Sequence, residues 1–151
     1  NTAPLGADST IVNTATVTGQ GIAEPLSASE TISTADAPEL AITKALSPTS
    51  VTENGEITYT FVISNYGNTA AAATDNLAVT DVFDPILTIT SVTLDGVLLE
   101  EGTGYTYNEA TGEFATVQSV ITVPAATFTQ EADGTYTTVP GTATLVITGT
   151  V

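Results

Sequence analysis

The chain contains no cysteine, methionine, tryptophan or histidine, and its single Lys/Arg residue is Lys44, so arginine is absent as well. Without His, Cys or Arg, and with no serine in a nucleophile-elbow sequence, an enzyme acting on external substrates has little support. The lack of Cys and Met also leaves oxidants few easy targets, which suits an exposed, extracellular setting. Positive charge is nearly missing: 17 acidic residues face one lysine, for a formal net charge of −16. That balance opposes binding to nucleic acid and to anionic membrane surfaces. No apolar run approaches the roughly 18 residues of a membrane-spanning helix, and no signal peptide lies within this numbering. Secretion is an expectation from composition. No cofactor and no structural metal are expected: Asp75, Asp81 and Asp84 supply oxygens but lack an organised loop spacing. The tyrosines Tyr59, Tyr66, Tyr105, Tyr107 and Tyr136 are spread as core or cross-strand packing residues, and no carbohydrate face is read from them.

What is present is strand material. The 151 residues are 42% hydrophobic, enough for a core, and Thr, Ala and Val dominate. Turn signals recur about every 8–12 residues with no helical stretch, which predicts an all-β, immunoglobulin-like antiparallel β-sandwich with an N-terminal donor-strand extension. Residues 1–33 form the extension, 34–39 a linker containing Ala37-Pro38, and 40–151 the sandwich. Within the sandwich, Ile57 to Asn65 is the clearest strand, with Ile57, Tyr59, Phe61 and Ile63 inward. Further strands are expected at Leu40–Leu46, Leu77–Phe83, Ile86–Leu94, Val97–Leu99, Tyr105–Tyr107, Glu113–Val117, Val120–Phe128, Thr135–Val139 and Thr142–Val151. The Ala-rich piece Thr69–Ala73 is too short to nucleate a helix and is expected to be an extended loop. In the extension, Ser9–Thr18 is a strand, and Ile22–Ser33 a second extended segment interrupted by Pro25, hence an edge.

Three strands each place one polar residue among apolar neighbours. Alternation sets Ile11, Asn13, Ala15 and Val17 on one face of the first strand. It also sets Lys44 between Ile42 and Leu46, and Asp81 between Val79 and Phe83. Burying an unpaired amide costs about 1–3 kcal/mol and a lone charge costs more, so all three are expected to be paired or chemically used.

The run Ile42-Thr43-Lys44, Gly55-Glu56-Ile57-Thr58-Tyr59-Thr60, Ser64-Asn65-Tyr66-Gly67-Asn68-Thr69, Val79-Thr80-Asp81 resembles a family of bacterial surface repeat domains, a conserved repeat of unknown function. The resemblance covers most of residues 39–151 and departs at Phe83-Asp84-Pro85, where a Leu-Pro pair is common. Family domains usually close with a strand of the type Asn-Thr-Ala-Thr-Val; here that strand, Asn13–Val17, stands before the domain. The rotated order leaves two paths, a strand folded back onto its own domain through the linker 34–39 or a strand donated to a neighbouring copy, of which the second is favoured. Head-to-tail contact of that kind does not close and yields filaments. Lys44, Asp81 and Asn13 also resemble the isopeptide sites of pilin and adhesin domains. The resemblance implies that the Lys44 amine attacks the Asn13 side-chain carbonyl, polarised by protonated Asp81, in a single-turnover step that releases ammonia. A Lys44–Asp81 ion pair with Asn13 as its hydrogen-bond partner satisfies the same three groups without a covalent bond, and both readings stay open. The functional expectation is the structural subunit of an extracellular fibre whose partner is another copy of itself. The alternatives are a cell-surface stalk repeat and an adhesin module binding a host or matrix ligand.

Overall fold

A computed structural model describes residues 3–151. Its strands run in the order β1 (Thr10–Val17), β2 (Leu26–Ser33), β3 (Leu40–Ser47), β4 (Glu56–Asn65), β5 (Thr80–Val82), β6 (Thr88–Leu94), β7 (Val97–Leu98), β8 (Tyr105–Asn108), β9 (Glu113–Thr116), β10 (Thr127–Gln130), β11 (Tyr136–Val139) and β12 (Gly141–Thr150). All ladders are antiparallel, and the only helical turn among the described residues is a 3-10 turn at Ala73–Asp75. A five-stranded sheet, β3-β4-β12-β6-β7, faces a three-stranded sheet, β5-β9-β8, and a small β10-β11 hairpin flanks them. The fold is thus an all-β antiparallel sandwich.

Period-two patterning explains the core. On β12, at the centre of the larger sheet, Ala143, Leu145 and Ile147 are fully buried, and the residues between them turn outward. Tyr59, Phe61 and Ile63 on β4 complete that inner face, and Phe83 and Phe114 from the other side pack against it. The Phe83 ring lies 4.8 Å from Tyr59 and 6.0 Å from Phe114, within the range in which tilted aromatic pairs add to burial. Near the end of β12 the register slips at a bulge between Thr148 and Gly149. A β-carbon on Gly149 would lie 2.7 Å from the Thr88 carbonyl oxygen, so glycine is what lets the strands approach there.

Several elements are shorter than their patterning predicts. Of Leu77–Phe83 only Thr80–Val82 is ladder-paired, because the Val79 N–H donates to the Thr116 hydroxyl at 2.9 Å instead of to a strand carbonyl. Val120–Phe128 reduces to Thr127–Gln130: Pro124 has no donor for a ladder, although Ile121 and Val123 still bury completely. The Ala-rich loop makes one bridge, Ala71 with Val123, before its short 3-10 turn. In the N-terminal extension Pro25 immediately precedes β2 and interrupts nothing.

β1 and β2 pair with each other over their whole length and with no other strand among the described residues. Every residue of both strands is exposed, with Ile11 at 53% and Ile32 at 68%. The hairpin therefore stands apart from the sandwich.

Candidate functional site

β3 is the edge of the larger sheet, paired on one side only, with β4. Its register sets Ile42 beside Ile63, Lys44 beside Phe61 and Leu46 beside Tyr59, so these three β3 residues belong to the inner face of the sandwich. They remain uncovered nonetheless: all of β3 is exposed, Ile42 to 55%. Across from β3 runs the stretch leading into β5, itself the edge of the smaller sheet. Between the two edges lies an apolar groove of about 210 Å³, with Leu40, Ile42 and Ile63 on one wall and Leu77, Val79 and Ile121 on the other. Among the described residues neither edge is paired on its outer side, so the groove between them stays open.

Lys44 and Asp81 meet here. The ammonium of Lys44 donates to Asp81 Oδ2, joining β3 of one sheet to β5 of the other, and Asp81 Oδ1 accepts from the Val82 N–H at 3.0 Å. Nζ also sits over the Tyr59 ring at 4.8 Å, with the Phe61 and Phe83 centroids at 5.5 and 5.8 Å. Such positions favour a cation through the ring quadrupoles. Sequence reasoning placed Lys44 in the core. Its side chain is instead 43% exposed, against 18% for Asp81, because the open groove leaves one flank of the pair in solvent.

Asn13 is not part of this cluster within one chain. It lies on β1 opposite Glu30, exposed, and Ile11, Ala15 and Val17 share its face and its exposure. The amine and the carboxyl group are together; the amide that the resemblance groups with them is held on the hairpin.

How the hairpin is held depends on a polar knot built around Asn65, Gly67 and Asn68. Asn65 is completely buried and uses its whole amide. Its Oδ1 accepts from the Glu39 and Gly67 N–H groups, both at 2.9 Å, and its Nδ2 donates to the carbonyls of Thr69 at 2.7 Å and Pro124 at 3.0 Å. Asn68 grips the same linker: Oδ1 accepts from the Ala37 N–H at 3.2 Å, and Nδ2 donates to Asp36 Oδ1 at 3.0 Å and to the Leu5 carbonyl at 3.3 Å. Between them Gly67 packs directly under the linker, where a β-carbon would lie 2.2 Å from the Ala37 carbonyl oxygen. Asp36 also accepts from the Asp8 N–H at 2.8 Å. That bond first, then those from Thr34 and Asn68, hold its carboxyl below the ordinary aspartate range. The Asn-Tyr-Gly-Asn string marks a turn, and only the fold brings the partners of its two amides to it.

Compared with protein-family models, curated proteins and solved structures, the chain has no match. Among the described residues no group of His, Cys, Asp and Glu is arranged to hold a metal ion, and no helix is long and apolar enough to cross a membrane.

Proposed function

We propose that the chain is the structural subunit of an extracellular fibre, built head to tail as the N-terminal hairpin of one copy completes the sandwich of the next. The observation that carries this reading is a matched pair of deficits. The sandwich has a free β3 edge and an open apolar groove, and the hairpin has an apolar face with nothing to cover it. An isolated two-stranded hairpin is marginal in water, so its face gains most from a partner. The linker favours a neighbour over the chain's own groove, because Asn65, Gly67 and Asn68 hold residues 35–39 against the sandwich and leave little slack for folding back.

Seating β1 beside β3 brings Asn13 to Lys44 and Asp81 and excludes water from that corner. The Lys44 nitrogen then attacks Asn13 Cγ, the bond from Cγ to Nδ2 breaks, and ammonia leaves with the proton relayed through Asp81. The product is an amide joining two subunits. Fibres of the full chain should therefore run as a ladder on boiled denaturing gels and yield a Lys44–Asn13 crosslinked peptide lighter by one ammonia. Removing residues 1–33 should abolish fibres in negative-stain images, and Lys44→Ala should collapse the ladder to monomer. Polymerisation of the truncated chain would defeat strand donation, and boiled wild-type fibres that run wholly as monomer would leave a noncovalent polar cluster.

A further inference from the structure

The hairpin register carries information that a single donated strand would not. Ile11 stands opposite Ile32, Asn13 opposite Glu30, Ala15 opposite Ala28 and Val17 opposite Leu26. Residues directly opposed across an antiparallel pair share one face. That face is therefore apolar at both ends and polar in the middle, where Asn13 and Glu30 lie side by side. The opposite face carries hydroxyls on every residue but Val12, with Thr14 bonded to Ser29 at 2.8 Å and Thr16 to Ser27 at 3.1 Å, and suits solvent better than the first. Along β3 the inner face repeats the first pattern: Leu40, Ile42, Lys44, Leu46. Lys44 is the only cation of the side chains, and Glu30 is the only acid on β1 and β2.

We propose that the donor unit is the whole hairpin of a second copy, docked edge-on with β1 against β3, and that Glu30 pairs with Lys44 and so determines the register. This rests on the fibre reading above and adds the residue that selects how the copies align. Adjacent strands lie about 4.8 Å apart, so β2 would run roughly 10 Å from β3, a gap that a lysine and a glutamate side chain cover together. The ammonium has three donors, and among the described residues its hydrogen bond goes to Asp81, on the half-exposed flank that the hairpin would approach. A slip of one residue would turn the hydroxyl row inward. A slip of two would keep the apolar face inward but set Glu30 against Ile42 or Leu46, an acid without a counter-charge in an apolar seam. Only one register joins the pair, and it also delivers Asn13 to Lys44. Between copies that each carry a formal charge of −16, this contact is the one place where opposite side-chain charges can meet.

Charge reversal in the full-length chain tests the pairing, with assembly followed by light scattering and negative-stain imaging so that loss of the covalent bond does not obscure the result. Glu30→Lys alone and Lys44→Glu alone should each slow assembly by about tenfold or more. Mixed together, the two single variants should co-assemble, because each supplies the hairpin that the other's groove accepts. Wild-type assembly by Glu30→Lys, or a mixture no faster than its components, overturns the proposal. A double variant that recovers while the mixture does not also overturns it, since the pair then forms within one chain. Val17→Asp separates the two levels: if it blocks fibres while Glu30→Lys does not, only the Glu30 assignment fails, and if it assembles normally the fibre reading itself fails.

Discussion

Strands β1 and β12 are built from the same material, Thr-Ile-Val-Asn-Thr-Ala-Thr-Val and Gly-Thr-Ala-Thr-Leu-Val-Ile-Thr-Gly-Thr, and both alternate. One lies at the centre of a five-stranded sheet with Ala143, Leu145 and Ile147 sealed from solvent; the other pairs, among the described residues, only with β2 and exposes every residue. Composition and periodicity do not separate them. What does is the number of layers. β12 has β4 and β6 on its flanks and a second sheet across its inner face, whereas the hairpin has one ladder and no layer to pack against. An apolar face in a single layer stays a surface until something covers it.

The comparison can be broken most directly by truncating equivalent side chains in the two regions. Leu145→Ala should leave a cavity at the centre of the sandwich and cost about 2–5 kcal/mol, read as a large fall in the urea midpoint of the monomer. Leu26→Ala, at an exposed position, should change the same midpoint by no more than about 0.5 kcal/mol equivalent. Equal losses would mean that the hairpin face is already buried in the monomer. In the fibre the contrast should narrow, and Val17→Asp sharpens the point. It places a charge where the docked hairpin needs an apolar contact, at a cost of several kcal/mol, so assembly should stop while the monomer's thermal unfolding stays unchanged.

The smallest expected effect concerns the joint between the regions. Asp36 has a depressed carboxyl, so its contribution to holding the linker is present above the ordinary aspartate range and lost as pH falls through its lowered native value. Acidification should therefore speed amide exchange at Ala37 and proteolysis within 34–39 before it affects β12. Asp36→Asn should flatten that pH dependence, and an unchanged profile would show that Asp36 does not hold the linker.

Much of the sandwich was legible residue by residue. Ile57, Tyr59, Phe61 and Ile63 alternate so clearly that their burial follows from the pattern, and Asn54-Gly55 and Asp95-Gly96 mark turns that the structure contains. Periodicity set Lys44 and Asp81 each on the inner face of its strand, and only the resemblance to isopeptide sites grouped them. The exposure of that pair was not anticipated, because exposure depends on whether a further strand stands beside β3, and alternation along one strand says nothing about its neighbours. Asn65 escaped for a different reason: asparagine followed by glycine two residues on is common in turns, and nothing local marks an amide whose four bonds reach Glu39, Gly67, Thr69 and Pro124. Glu30 was passed over because only the hairpin register places it beside Asn13.

By itself, then, the sequence determined which segments are extended, which face of each is apolar, where the chain turns, and that a strongly acidic surface carries one lysine. These are properties of residues and near neighbours, set by sterics, side-chain chemistry and a period of two. Tertiary structure alone decided that β1 pairs with β2, that β3 is left as an open edge, that Lys44 reaches Asp81 across two sheets, and that two asparagines hold the linker to the sandwich. Each of those depends on contacts between residues far apart in the chain, and a local pattern that shows which face is apolar does not show what that face will meet.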